Sequence, residues 1–249
     1  MNTENSDSSW IIFPKPNPAA KMRLFCFPYA GGGTSLYRPW AERLSDDIEL
    51  GIIILPGREH RITEPLVNEL TTIVSKIESN ILSFLDKPFA FLGHSIGSLI
   101  SFELMEVLNK NYNKKPDYYF VSAYAAPHIK NRKLRMSELG DDELINTLKN
   151  YNGTPPQVLE NPLILEYLLP IVRADFSIYD NYKYVERETL NCPLSVFMGK
   201  EDDIEENALQ AWRNYTDKEF ELHKFNGGHF YINDYTEEVI EIIHKSLNL

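Results

Sequence analysis

Three polar side chains in this sequence, a serine, an acid and a histidine, are spaced so that they could act together in acyl transfer. Ser95 lies in the sequence GHSIG at 93–97, between the apolar run 89–92 and a helix-like stretch at 98–110. G-x-S-x-G between a strand and a helix is typical of a nucleophile elbow. In this tight turn small residues flank the serine and its Oγ is exposed at the top of a sheet. Ser95 is therefore the predicted nucleophile.

The predicted base is His229. A serine hydroxyl needs an adjacent base to take its proton and a third group to orient that base. When a serine elbow opens the set, the acid and then the histidine follow it along the chain. His229 lies in a glycine loop, GGHF, after one predicted strand and before the last helix. The competing histidines are His128 after a strand end, His223 within a strand and His244 on the final helix.

The predicted acid follows the strand at 194–198. A carboxylate at that strand end could accept the Nδ1 hydrogen of the histidine and stabilise the imidazolium that forms. Asp202 is preferred by its spacing from Gly199, with Asp203 second and Glu201 a more distant choice. An acidic first turn of the next helix would explain one of these residues without a catalytic role.

Two backbone N–H groups are predicted to hold the negative charge of the reaction. One is that of Ile96, directly after the nucleophile, and the other is that of Ala30 in the loop YAGGG at 29–33. The glycines could instead cradle a phosphate, but the loop lacks the lysine of a phosphate-binding P-loop.

The elements that position these residues alternate between strands and helices, which predicts a mostly parallel sheet. The predicted strands are 23–27, 49–55, 89–92, 118–123, 194–198 and 220–225, and the predicted helices include 36–44, 66–85, 98–110 and 235–247. We therefore expect an α/β fold with a central sheet flanked by helices, forming one domain over residues 1–249.

The segment from about 130 to 184 interrupts this alternation and is predicted to be a helical lid. Its helix at 162–176 is apolar on nearly every side and is expected to break at Pro170. Such a helix must be buried by something, and core packing is the alternative to a lid. The substrate-binding residues are not defined, but the region about Leu163, Leu168 and Val172 is expected to line an apolar channel.

Composition limits the partners. The net charge of −11 argues against nucleic acid, and no apolar run is long enough to cross a bilayer. Residues 1–9 are not typical of a secretory signal, so we expect a cytoplasmic protein, and a monomer. Cys26 is expected to be a core residue. The basic stretch Lys130, Arg132, Lys133 and Arg135 is either a solvated loop or a docking patch for an acidic partner.

The chain resembles the stand-alone type II thioesterases that accompany nonribosomal peptide and polyketide synthases. The resemblance runs from about residue 10 to the C-terminus. It rests on LFCFPYAGGG at 24–33, LPGREHR at 55–61, GHS at 93–95, PIVRADF at 170–176, Ala211-Trp212 and GGHF at 227–230. Many members have methionine where this chain has Ile96, and the segment between Asp202 and Trp212 is one residue short, which keeps Asp203 open.

The resemblance implies an α/β-hydrolase fold with a lid, a Ser95, Asp202 and His229 triad, and Ala30 and Ile96 as oxyanion donors. It also implies the activity, which is removal of acyl groups from the phosphopantetheine thiol of carrier domains. No metal and no cofactor of the enzyme itself is implied, because the substrate carries the phosphopantetheine. A carboxylesterase, lipase or medium-chain acyl thioesterase of this fold is the alternative, followed by a silent binding protein. Arg58 and Arg61 are expected to form ion pairs that hold their loop, in preference to the alternative that they contact the substrate.

Overall fold

A computed structural model describes residues 10–129 and 134–249, and its strands form one seven-stranded sheet. The strands are β1 (Ile11–Ile12), β2 (Met22–Phe27), β3 (Ile48–Ile53), β4 (Phe89–His94), β5 (Tyr118–Ser122), β6 (Leu194–Gly199) and β7 (Phe220–Phe225). They lie in the order β1-β3-β2-β4-β5-β6-β7, and only β1 is antiparallel to its neighbour. The expected mostly parallel α/β sheet is confirmed.

Eight α-helices pack around the described part of the sheet or extend from it. They are α1 (Leu70–Ile81), α2 (Ile96–Tyr112), α3 (Asp141–Tyr151), α4 (Pro156–Leu159), α5 (Pro162–Asp180), α6 (Glu206–Gln210), α7 (Tyr231–Asp234) and α8 (Thr236–Ser246). The helix expected at 36–44 is instead a short 3-10 helix, Arg38–Glu42. No helix among the described residues is both long and apolar enough to cross a membrane.

Strands β2 to β6 are buried on both faces of the sheet, which accounts for their mostly apolar sequences, whereas the edge strand β7 is partly exposed. On one face, Ile77 of α1 and Phe102 of α2 belong to the same buried apolar cluster as Phe91 of β4. On the other face, Trp40 of the 3-10 helix and Ile240 of α8 belong to a second apolar cluster. Cys26 is fully buried within β2, and both cysteines are free thiols.

The strand order brings the ends of distant segments together. Parallel strands share one carboxyl edge, and ligands bind outside that edge in open α/β sheets. Here β2 lies directly beside β4, so the glycine loop after β2 meets the serine turn after β4. The loops after β6 and β7 lie at the same edge and carry the acid and the histidine.

Helices α3 to α5 stand between β5 and β6 and have an apolar cluster of their own. It joins Leu144 and Leu148 of α3 to Leu169, Val172 and Phe176 of α5. The break expected at Pro170 is wrong, because α5 continues through it to Asp180. Proline removes one helical hydrogen bond, and the buried side chains that follow, from Ile171 onward, keep the helix packed against its neighbours.

Candidate active site

Ser95 occupies a strained turn between β4 and α2. Its backbone has φ 55° and ψ −125°, a conformation that few non-glycine residues adopt, and its N–H donates to the Ser122 carbonyl at 2.8 Å. The side chain is nearly buried, at 7% exposure, but it borders two small cavities. This is the geometry expected of a nucleophile elbow.

The glycines on either side of Ser95 are required by close packing. A Cβ on Gly93 would lie 2.4 Å from the backbone of Ser98, and one on Gly97 would lie 2.1 Å from the carbonyl oxygen of Phe27. Both distances are far below van der Waals contact. The spacing of the motif therefore follows from how tightly the helix α2 starts against β2 and β4.

His229 and Asp202 form a buried pair at the same edge of the sheet. His229 Nδ1 lies 2.8 Å from Asp202 Oδ2, and their side chains are 5% and 2% exposed. An ionised carboxylate only accepts hydrogen bonds, so Nδ1 carries the hydrogen and Nε2 is left as the basic nitrogen. His229 lines the same cavity as Ser95, whereas Asp203 and Glu201 are exposed.

The other candidate histidines are engaged elsewhere. His128 Nδ1 lies 2.8 Å from the Tyr215 hydroxyl, His223 pairs with Glu221, and His244 accepts the Ser45 N–H. The structure therefore brings only His229 of these four to Ser95.

The glycine loop after β2 carries one of the two predicted oxyanion donors, the N–H of Ala30. Ala30 lines the cavity of Ser95 and His229. Within residues 10–129 and 134–249, neither the N–H of Ala30 nor that of Ile96 donates a hydrogen bond to another group. Two free donors near a serine are what an oxyanion hole requires.

The alternative of a phosphate cradle in this loop is disfavoured by its contacts. The N–H of Gly31 donates to Asp175 Oδ2 at 2.7 Å, and that of Thr34 donates to Glu59 Oε1 at 2.5 Å. Carboxylates thus occupy the positions that a phosphate would need, and they would repel one.

The two arginines of the loop after β3 form the ion pairs expected of them. Arg58 is paired with Asp175, and Arg61 with Glu64, while Arg61 also lies 4.0 Å from the ring centroid of Trp10. The sequence did not identify Asp175 as a site residue, although it lies within the RADF sequence on which the resemblance partly rests.

The expected channel residues are placed differently from the prediction. Leu163 is 78% exposed and Val172 is buried against Gly31, and none of Leu163, Leu168 and Val172 lines either cavity at Ser95. The first turns of α5 carry apolar residues on all sides, so the pattern did not indicate which side faces the core. Phe176 of α5 borders both cavities, joined by Tyr179 in one and by Leu148 and Tyr151 in the other.

Most of the basic stretch considered for docking lies outside the described residues, namely Lys130, Arg132 and Lys133. Arg135 is described, and it pairs with Glu138 at 2.6 Å and donates to the side chain of Asn181. The docking role of these four residues stays a prediction.

His94, directly before the nucleophile, is buried beneath His229. Its ring lies 5.4 Å from that of His229, and its Nδ1 lies 2.8 Å from Ser122 Oγ. Nε2 has no partner among the described residues. Burial, assisted by the nearby His229, lowers the pKa of His94 well below its usual 6.5, so the ring is neutral in the folded protein at pH 7.

This neutral histidine predicts a pH dependence of stability. Below about pH 6.5 the unfolded chain binds a proton at residue 94 that the folded protein does not, so the free energy of unfolding decreases as the pH falls. We expect the decrease between pH 7.5 and 5.5 to be smaller in His94→Gln, by about 1 kcal/mol at most. Urea unfolding of the unmodified protein and of His94→Gln at the two pH values measures this difference. An identical decrease in the free energy of unfolding in both proteins would contradict the prediction.

The described residues contain no cluster of histidine, cysteine, aspartate and glutamate suited to a metal ion.

Comparisons with known proteins indicate the family of this chain. A family model described as thioesterase domain matches residues 22–247. The chain is 40% identical to the gramicidin S biosynthesis protein GrsT of Aneurinibacillus migulanus, covering 97% of this chain and 95% of that protein. It is 38% identical to a Brevibacillus parabrevis protein named linear gramicidin dehydrogenase LgrE, covering 99% and 95%.

The fold is also that of a solved type II thioesterase. The structure of BorB, from the borrelidin biosynthetic cluster, superposes with a TM-score of 0.87 at 28% identity and covers 95% of this chain and 96% of that one. The family model and the relatives all extend over most of the chain. The chain therefore belongs to the thioesterase family, as a type II thioesterase and a hydrolase of thioesters.

Proposed function

We propose that this thioesterase releases acyl groups from the phosphopantetheine thiol of carrier domains, clearing misprimed or stalled synthases. The observation that carries the proposal is the buried 2.8 Å contact between His229 and Asp202 at the cavity that Ser95 borders. The names of the relatives add the setting, since GrsT is named for gramicidin S biosynthesis and BorB belongs to a borrelidin cluster.

The proposed reaction has two halves. His229 Nε2 takes the proton of Ser95 Oγ as that oxygen attacks the thioester carbonyl, and the N–H groups of Ala30 and Ile96 hold the oxyanion. The C–S bond breaks, and the imidazolium returns the proton to the departing thiolate. His229 then takes a proton from water, whose oxygen attacks the Ser95 ester, and collapse restores the serine hydroxyl and releases the carboxylic acid.

Asp202 is assigned an orienting role in both halves. Its carboxylate accepts the Nδ1 hydrogen, which keeps Nε2 facing the serine and stabilises the imidazolium formed after each proton transfer. The pair is nearly shielded from water, so the interaction is stronger than the same contact would be at the surface.

We propose that α3 to α5 act as the lid over this site. The cavities at Ser95 have volumes of only about 30 and 20 Å³, enough for a water molecule but not for an acyl chain. An acyl group longer than a few atoms can therefore enter only if side chains such as Phe176 and Tyr179 of α5 change position.

Substrate preference separates the proposal from its alternatives. We expect a higher kcat/KM on an acyl-carrier domain than on the matching acyl-coenzyme A or p-nitrophenyl ester, because the carrier adds protein contacts. Equal or better efficiency on the simple ester would favour a carboxylesterase or lipase instead. Equal efficiency on acyl-coenzyme A would favour a general medium-chain acyl thioesterase.

A further inference from the structure

Asp175 connects the helix α5 to the glycine loop that supplies the proposed oxyanion donor. Its side chain is 1% exposed. Oδ1 accepts from Arg58 at 2.8 Å, and Oδ2 accepts both from Arg58 at 2.7 Å and from the N–H of Gly31 at 2.7 Å. Asp175 therefore fixes the peptide group directly after Ala30, 144 residues away along the chain.

Arg58 binds the same turn through a backbone carbonyl, whereas Asp175 binds it through a backbone N–H. One of its nitrogens, besides contacting Asp175, donates to the carbonyl of Gly32 at 3.1 Å, and its side chain is 6% exposed. A two-pronged arginine–carboxylate pair has a fixed geometry, unlike a lysine contact. The ion pair thus fixes an N–H and a C=O of consecutive glycines, which leaves the loop little freedom to rotate.

A second clamp lies next along the chain. Glu59 has φ 51°, in the left-handed region, and this unusual backbone turns its carboxylate toward the N–H and hydroxyl of Thr34. Gly31 has φ 78°, and a Cβ there would lie 2.7 Å from Val172 of α5. The loop is therefore bound at both ends and packed tightly against α5.

Asp175 is not an alternative to the orienting acid. Its two oxygens are used by Arg58 and Gly31, whereas the histidine contacts Asp202. A buried ion pair is also weak evidence for stability, because removing both charges from water costs about as much as their attraction returns. A gain in stability therefore does not explain why the Asp175–Arg58 pair lies beside the Ala30–Gly31 peptide.

We propose that Asp175, held by Arg58, is a positioning residue that sets the Ala30 N–H for the oxyanion. An oxyanion donor acts over about 2.7–3.1 Å, so a small displacement of the loop removes most of its effect. Because Asp175 belongs to α5, the donor is in place only while that helix is packed on the loop. This inference rests on the proposed hydrolysis at Ser95.

The test compares Asp175→Asn with a matched variant at the other end of the sheet. Glu49 is also a buried carboxylate that accepts from an arginine, Arg23 at 2.6 Å, and from a backbone N–H, that of Asn17 at 2.8 Å. It lies at the amino end of β3, remote from the carboxyl edge. Glu49→Gln therefore controls for the loss of a buried charge without touching the site.

We expect Asp175→Asn to lower kcat on a soluble acyl thioester about 10²-fold with little change in KM, as loss of one oxyanion donor does. An alkyl trifluoromethyl ketone, which forms an oxyanion on Ser95, should bind more weakly by a similar factor. An amide analogue of the substrate ground state should bind equally well to the unmodified enzyme and to Asp175→Asn. Glu49→Gln should lower the melting temperature. It should leave kcat, the ketone affinity and the amide affinity within about threefold of those of the unmodified enzyme.

Arg58→Lys provides a second variant, because it keeps the charge but loses the two-pronged contact. It should show the same selective loss of trifluoromethyl ketone binding, and it decides the matter if Asp175→Asn does not fold. Unchanged kcat and ketone affinity in a folded variant would overturn the proposal. So would equal weakening of ketone and amide. Absence of activity in the unmodified enzyme would instead refute the proposed hydrolysis.

Discussion

Replacing Ser95 with alanine is expected to lower kcat for thioester hydrolysis by at least about 10⁴-fold, because it removes the atom that carries the acyl group. The residual rate would come from substrate binding and the oxyanion donors alone. Ser95 Oγ makes no hydrogen bond with another described residue, so the folded structure should not depend on it. The measurement is steady-state hydrolysis of a soluble acyl thioester, together with the melting temperature.

A matched serine on the helix that follows Ser95, α2, provides the control. Ser101 is also buried and donates to the backbone of α2, but it does not border the cavities at Ser95. Ser101→Ala should change kcat by less than about fivefold. Acid quenching of the unmodified enzyme should also trap an acyl group on the peptide containing Ser95. More than about 1% residual activity in Ser95→Ala would contradict the assignment.

The second large effect concerns two adjacent acids. Asp202→Asn should lower kcat by about 10³- to 10⁴-fold, because an amide can present its NH₂ to Nδ1 and favour the tautomer that places the hydrogen on the wrong ring nitrogen. Asp203→Asn removes the same charge from the next residue, whose side chain is exposed. It should leave kcat within about twofold of the unmodified enzyme.

The ratio of these two variants decides which acid acts, a choice that sequence spacing left open. Both substitutions reduce the net negative charge equally, so long-range electrostatics cannot explain a difference between them. A larger loss in Asp203→Asn, or equal losses in both, would show that the 2.8 Å contact with His229 is not the catalytic one.

The parts of the fold that were predictable carry local signals. Most of the six predicted strands are apolar runs bounded by glycine, proline or polar residues, whereas β7 mixes apolar with polar side chains. β1 was missed because two residues, Ile11 and Ile12, are too short for a periodic pattern and form a strand only by pairing with β3. Pro170 indicated a break that tertiary packing overrides.

The site also contains residues that local sequence motifs predict and residues that they do not. Ser95 and His229 stand in glycine-flanked motifs, and glycine marks a turn or close approach that is visible in sequence. Asp175 acts through residues 117 and 144 positions away, a relation that spacing does not encode. Leu163 is exposed, although the sequence predicted that its region lines a channel, because a helix that is apolar all round does not indicate its inward face.

Intact mass spectrometry of carrier domains most directly tests the central assignment of function. Carrier domains loaded with several different acyl groups are measured before and after addition of the enzyme, with Ser95→Ala as the control. We expect the mass of each hydrolysed acyl group to be lost while the phosphopantetheine remains attached, and no change with the variant. Carriers that keep their acyl groups, while a simple ester is cleaved at the same site, would contradict the account.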